Sequence, residues 1–319
     1  MDRNLALEVV RVTEAAALAA ARFVGRGDEV AADVEAARAI ERAFRAIPVQ
    51  GTVIVGESSS DEGMPLYEGQ QLGADSGPAL RIAVNAIDGA VAAATGSANA
   101  LSIVAISDDP DRGFLRCPRV YMDKIAVGPE GHDAVNLDAS PTDNLKALAE
   151  ARRVYVEDLT VAILDRPRHA KLIAEVRKAG ARIRLIPAGE IAAALATTRP
   201  ESGIDLVMGV GGDTQAVLAA AALLCAGGML QGRFVPANAE EVNRLAAAGI
   251  VDGKKKLTLD DLVYGSVMFS ATGVTTGDYL QGVRFFRGGA TTNSMVMRSK
   301  TRTSRSIIAV HHFDFKPEY

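Results

Sequence analysis

Residues 81–90 read RIAVNAIDGA. The run Ile82-Ala83-Val84 has the length and apolarity of a short buried strand. It passes directly into Asn85, Ala86, Ile87, Asp88, Gly89 and Ala90. A strand that ends on a polar residue and then on Asp-Gly lifts side chains out of the core at a sheet edge. Residues 101–106 supply a neighbouring strand candidate, and the chain around both is rich enough in apolar residues to close over them.

The sequence of 319 residues is 48% hydrophobic and carries a net charge of −4. That balance argues against a nucleic-acid surface. Cys117 and Cys225 stand far apart in no CxxC pair, which speaks against structural zinc and a disulfide scaffold. His132, His169, His311 and His312 are too scattered for a His-rich metal site. No apolar run reaches 18 residues, and the Ala-rich N-terminal stretch is broken by Arg11 and Glu14, unlike a signal peptide. The expectation is a soluble, reducing, cytoplasmic setting without nucleic acid or membrane.

Residues 5–24 carry apolar side chains at helical spacing, with Gly25 as the stop. Residues 28–47 form a second amphipathic helix, on which Asp33 reads as a solvated acid. After a β-branched strand at 51–56 comes the acidic loop 57–63. It reads either as a surface turn or as a carboxylate, Glu57, presented at a strand end. Residues 121–127 are strand or loop. A helix over 143–152 has Ser140 or Thr142 as N-cap.

From residue 160 the pattern changes to strand and helix in alternation: strands at 160–164, 182–186 and 204–210, and helices at 169–179, 190–197 and 214–226. Such alternation means a parallel αβ domain with ligands at the carboxyl ends of its strands. Arg166 and Arg168 flank Pro167 at one such end, where two guanidinium forks suit a phosphate. Gly211-Gly212 at another offers bare N–H groups to an anion. Further strands are expected near 267–271, 282–286 and 294–298, and a frayed tail at 311–319. The division expected is 1–155, an α+β half, and 156–319, an αβ half.

The chain resembles the class II fructose-1,6-bisphosphatases along nearly its whole length. The resemblance is carried by NLALEVVRVTEAAALAAAR at 4–22, VIVGE at 53–57, YMDKIAVGPE at 121–130 and LDASPTDNLKALA at 137–149. It continues in LDRPRHAKLI at 164–173, AGARIRLI at 179–186, VLAAAAL at 217–223 and GGATTNSMVMRSKT at 288–301. It implies an α/β class with the layered αβαβα inositol-monophosphatase-like fold. It also implies Mg²⁺- or Mn²⁺-dependent hydrolysis of the 1-phosphate of fructose 1,6-bisphosphate, a sugar-phosphate ligand and a homo-oligomer.

By that resemblance one metal is held by Asp33 and Glu57. A second is held by Asp88 and by the positions now occupied by Asn85 and Gln215, where the family has Asp and Glu. Asp61 matches the acid that partners a water-orienting Thr, and that Thr is Ala90 here. The substrate set matches Asp88, Gly89, Tyr121, Arg166, Pro167, Arg168, Gly189, Glu190 and Gly212, with Ala188 where the family has Asp. Ser58, Ser59 and Ala86 also depart from the pattern. Asn85 and Gln215 keep shape but lose charge, and an amide oxygen is a poorer ligand for a hard dication. Ala90 cannot hold a water at all, and a positioned proton-transfer group contributes about 10²–10⁴-fold.

The expectation is a catalytically impaired homologue that keeps sugar-phosphate binding, or a regulatory role in co-assembly with an active paralogue. The alternative is an active phosphatase with a rearranged second metal site. It is motivated by Asp213, a new carboxylate two residues from Gln215, and by Thr214, and another hydroxyl such as Thr95 would take the role lost at Ala90.

Overall fold

A computed structural model describes residues 4–57 and 64–315. The chain forms two units, and they do not follow the expected 1–155/156–319 division. One comprises residues 1–115 and 264–319; the other is the insert 116–263. The reason lies in strand pairing: the last four strands of the chain return to the sheet that the first four began.

In the first unit, helices α1 (Leu5–Ala21) and α2 (Glu29–Phe44) precede strands β1 (Gln50–Val55), β2 (Gln71–Leu72) and β3 (Ala79–Asp88). A short helix α3 (Ala90–Thr95) and strand β4 (Leu101–Ser107) follow. α1 is alanine-rich, a strong helix former. It buries Val9, Val12, Ala16 and Ala20 and packs on α2 and the sheet. It ends at Ala21, short of Gly25. α2 starts on Asp28, whose carboxylate accepts the Ala31 N–H at 2.9 Å.

The insert runs through β5 (Met122–Val127), α4 (Pro141–Arg152), β6 (Thr160–Leu164), α5 (Ala170–Ala179), β7 (Arg182–Ile186) and α6 (Glu190–Ala196). It continues with β8 (Leu206–Gly211), α7 (Asp213–Ala226), β9 (Met229–Phe234), α8 (Ala239–Ala247) and α9 (Leu259–Leu262). Ser140 caps α4, accepting the Asp143 N–H at 3.1 Å ahead of Pro141. Its sheet has the order β7-β6-β8-β5-β9. The three strands of the αβ alternation, β7, β6 and β8, are parallel, as their crossover helices require. β5 runs antiparallel to both its neighbours, β8 and β9, so the sheet is mixed rather than wholly parallel.

The chain then rejoins the first unit with β10 (Val267–Gly273), β11 (Arg284–Phe286), β12 (Gly289–Arg298) and β13 (Thr303–His312). The eight-stranded sheet runs β12-β10-β4-β3-β1-β2; β13 pairs along the whole of β12, and β11 pairs with its first residues. The end of the chain is thus ordered through His311, which is buried and bonded to Thr292 at 2.8 Å, and not frayed from 311 as the polar sequence suggested. The fold is α/β, two mixed sheets with helices. Among the described residues no helix is long and apolar enough to cross a membrane.

Candidate functional site

The strand foreseen at 82–84 is the middle of β3, which stays extended to Asp88 because Ala86 and Ile87 are also buried. Between Asn85 and Asp88 the pairing with β4 slips: Asn85 lies opposite Ile103 and Asp88 opposite Leu101. Three steps on β3 therefore match two on β4, a β-bulge. Residues three apart face opposite sides of a regular strand. The extra residue instead returns Asn85 and Asp88 to one side of the sheet. Both are nearly inaccessible, at 5% and 3% exposure.

A second slip, between Val53 and Val55 of β1, adjusts the strand that runs parallel to β3. It brings Glu57, two residues past β1, alongside the bulge. The Glu57 carboxylate accepts the backbone N–H of Ala86, and its own N–H donates to Leu66 at 2.9 Å. The hydrogen bond uses one oxygen of Glu57 on backbone.

Gly89 then turns the chain with φ +87°, a conformation natural to glycine, and Ala90 opens α3 as a methyl against the core. Thr95 sits at the far end of α3. Its hydroxyl donates to the Val91 carbonyl at 2.9 Å and is 3.0 Å from the Ser97 hydroxyl, so it does not stand in at position 90. Asp33 lies on α2, which packs on β3 and α3. It is half-buried rather than solvated. Desolvation first, and the nearby Glu29 charge second, raise its pKa from 3.8 to about 6. Asp61, with Ser58 and Ser59, lies outside the described residues. Among the described residues no three Asp, Glu, His or Cys side chains converge as a bound metal requires.

The insert gathers its candidate residues at one edge of its own sheet, the carboxyl ends of β6, β7 and β8. Antiparallel pairing of Met122 with Gly211 sets the start of β5, and Tyr121 just before it, at that same edge. Arg166 donates to the carbonyls of Asp165 at 2.8 Å and Pro187 at 2.7 Å. Pro167 follows it and opens a 3₁₀ turn, Pro167–His169, that carries Arg168. Arg168 donates from Nε and Nη2 to the Val210 carbonyl, at 3.0 and 2.9 Å, and lies over the Tyr121 ring at 4.7 Å. Both guanidinium groups are anchored on backbone carbonyls, Arg166 through Nη1 and Nη2 and Arg168 through Nε and Nη2, which fixes the direction of the donors that remain.

Gly212 caps α7 and its carbonyl accepts from Lys124 Nζ at 3.0 Å. A Cβ at Gly212 would lie 2.0 Å from the side-chain oxygen of Gln215, so this amide folds back over the helix start. Asp213 is buried, and its carboxylate accepts the N–H groups of Val120 at 3.1 Å and Thr214 at 2.8 Å. Burial raises its pKa against the pull of these donors. It therefore fastens the segment before β5 to the start of α7. Gly189, with φ +83°, caps α6. Glu190 forms an ion pair with Lys124 at 2.8 Å, with the side chains only 15% and 6% exposed, and lies against the Cα of Gly211.

Two residues of this edge were not singled out by sequence: Lys124, an isolated cation inside an apolar strand, and His169, which follows the Arg-Pro-Arg run. The local signal for the first is a lysine that follows Asp123 inside the otherwise apolar run Met122–Val127.

The family model described as bacterial fructose-1,6-bisphosphatase, glpX-encoded, matches residues 3–311. The D-fructose 1,6-bisphosphatase class 2/sedoheptulose 1,7-bisphosphatase of Synechococcus sp. (strain JA-3-3Ab) is 38% identical, with 98% of this chain and 97% of that protein aligned. Fructose-1,6-bisphosphatase 1 class 2 of Escherichia coli (strain K12) is also 38% identical, with 99% and 97% aligned.

Proposed function

The chain belongs to the glpX-encoded bacterial fructose-1,6-bisphosphatase family, and from that premise we propose that it binds a phosphorylated sugar but is impaired as a phosphatase. The phosphate is held by Arg166 and Arg168, with Tyr121, Pro167, Gly189 and Gly212 around it. Asp33, Glu57 and Asp88, with Gly89, are the remaining metal-side residues, and Asp61 the remaining partner of the missing threonine.

The observation that carries this reading is the state of the bulge in β3. Of its two buried polar positions Asn85 is neutral and only Asp88 is a carboxylate, the neighbouring Glu57 is partly engaged by the Ala86 N–H, and Ala90 presents only a methyl group. Two-cation hydrolysis needs charge that clamps both the attacking and the leaving oxygen. The described donor set does not fit two tightly held cations. A single Mg²⁺ or Mn²⁺ bound weakly is the most these donors support. The residues that would rescue the chemistry are engaged elsewhere: Asp213 holds backbone N–H groups, and Thr95 holds its own helix. A role in a homo-oligomer, or in co-assembly with an active paralogue, is consistent with a kept scaffold and a lost centre.

The test is phosphate release from fructose 1,6-bisphosphate with Mn²⁺ or Mg²⁺, beside the triple reversion Asn85→Asp/Ala90→Thr/Gln215→Glu. Activity only in the reversion supports the proposal. A native rate within the ordinary range of roughly 1–10³ s⁻¹ would overturn it in favour of a rebuilt second site.

A further inference from the structure

We infer that His169 is a positioning residue for the phosphate-binding Arg168, acting through the peptide of Val210; this rests on the reading of Arg168 given above. β6 and β8 pair in parallel only at Val161–Leu206 and Ala162–Val207. Beyond those pairs the strands splay toward their carboxyl ends, where a sheet of this kind opens its ligand crevice. The splay leaves a strand carbonyl and a strand N–H to be satisfied. His169 spans them.

Its Nδ1 lies 2.7 Å from the Leu164 carbonyl oxygen, and its Nε2 accepts the Val210 N–H at 2.8 Å. Together these partners are met by one arrangement of the ring, with the proton on Nδ1. The imidazole thus replaces the missing rung of the ladder. It is 3% exposed. Gly209, at φ +126°, allows this approach: a Cβ there would lie 2.9 Å from Nε2.

The same Val210 peptide carries its load on the other side. Its carbonyl accepts both Nε and Nη2 of Arg168, whose guanidinium rests over Tyr121. One connected path therefore runs from Leu164 through His169 and Val210 to Arg168. His169 touches no substrate atom in this reading. It fixes the peptide that fixes the guanidinium, as the outer partner of a ligating side chain does. The sequence neighbour of Arg168 has a distinct task from it, reached through a residue 41 positions away.

The experiment is a double-mutant cycle on the full chain, with fructose 1,6-bisphosphate as the probe and calorimetry as the readout. His169→Ala should weaken binding about tenfold, the effect of losing an outer-shell partner. In an Arg168→Ala background the same change should weaken it no further. His169→Gln, which keeps a donor and an acceptor, should recover part of the loss and also serves if the alanine variant does not fold. Folded His169 variants with unchanged affinity, or losses that multiply independently of Arg168, overturn the inference.

If the native protein does not bind the sugar bisphosphate, the functional reading fails, and the relay is read without ligand. The Arg168 Nε–H resonance, assigned by its loss in Arg168→Lys, should exchange faster in His169→Gln than in the native chain. An unchanged resonance would overturn the inference by itself.

Discussion

Replacing Asn85 by aspartate should make the protein less stable without a divalent cation and restore stability with one. Asn85 is 5% exposed, Asp88 on the same side of the bulge is 3% exposed, and the Glu57 carboxylate is bonded to the next peptide N–H. A new carboxylate there loses hydration and meets acidic neighbours. Burial and like charge raise a carboxyl pKa by up to several units. A rise of about two to three units corresponds to roughly 3–4 kcal/mol of lost stability at pH 7.5. In a unit of this size that is a fall of about 6–15 °C in midpoint. A cation at about a hundred times its dissociation constant returns about 2.7 kcal/mol. The assay is thermal unfolding by circular dichroism in EDTA and in Mn²⁺, for the native chain and Asn85→Asp. The native chain should move little between the two buffers and the variant should recover most of its loss in Mn²⁺. An equal Mn²⁺ gain in the native chain, or a variant indifferent to Mn²⁺, would refute the assignment of Asn85 as the position that removes the second metal.

Asp33 gives a pH signature. Its folded pKa of about 6 lies above the ordinary 3.8, so folding favours the protonated form. The penalty is absent below 3.8, grows as pH rises through about 6, and is constant above, up to about 3 kcal/mol. Asp33→Asn should therefore stabilise the metal-free protein at pH 7.5 and leave it unchanged near pH 3.5, as read by urea midpoints at each pH. Lys124→Met should cost about 3–5 kcal/mol, because it strands Glu190 in a nearly closed site. Lys124→Met/Glu190→Leu should regain most of that in the same titration. Asp213→Ala should lower stability by about 1–3 kcal/mol through its orphaned N–H groups and leave divalent-cation affinity by calorimetry unaltered. A fall in affinity would make Asp213 a metal ligand after all.

What the sequence made legible follows from range. The alternation after residue 160 is local: periods of two and of 3.6 residues, punctuated by glycine, yield β6, α5, β7, α6, β8 and α7 with ends shifted by a few residues. Strand direction is not local. YMDKIAV reads equally well as a parallel, antiparallel or irregular segment, and its antiparallel course in the sheet is decided by Met208 and Leu230, far along the chain. The insertion of residues 116–263 is hidden for the same reason, since nothing near residue 115 announces that β10 will pair with β4. At the site, residue identities were readable but their commitments were not. Asp213 reads as a free carboxylate and is a clamp on Val120; Thr95 reads as a free hydroxyl and is a helix bond. Asp33 reads as solvated because helix periodicity cannot report what packs on its face.

These commitments bear on whether a second metal site has been rebuilt. If a second site had been rebuilt, new donors should have uncommitted oxygens near the old position, and their former partners should be satisfied otherwise. The reverse is found. Asp213 cannot leave its N–H groups without orphaning them, and Gln215 has folded over Gly212 rather than away from the helix start. On the proposed anion side the described side chains are held toward one edge of the sheet. Arg166 and Arg168 keep backbone anchors, the Val210 peptide keeps its imidazole brace, and Tyr121 keeps the guanidinium over its face. Holding two cations aimed in this way costs side-chain entropy and concentrates positive charge, which an anion repays. A scaffold freed from binding would have let these contacts drift as readily as the metal side. The asymmetry is what the proposed reading, a chain that binds a phosphorylated sugar but is impaired in hydrolysing it, requires.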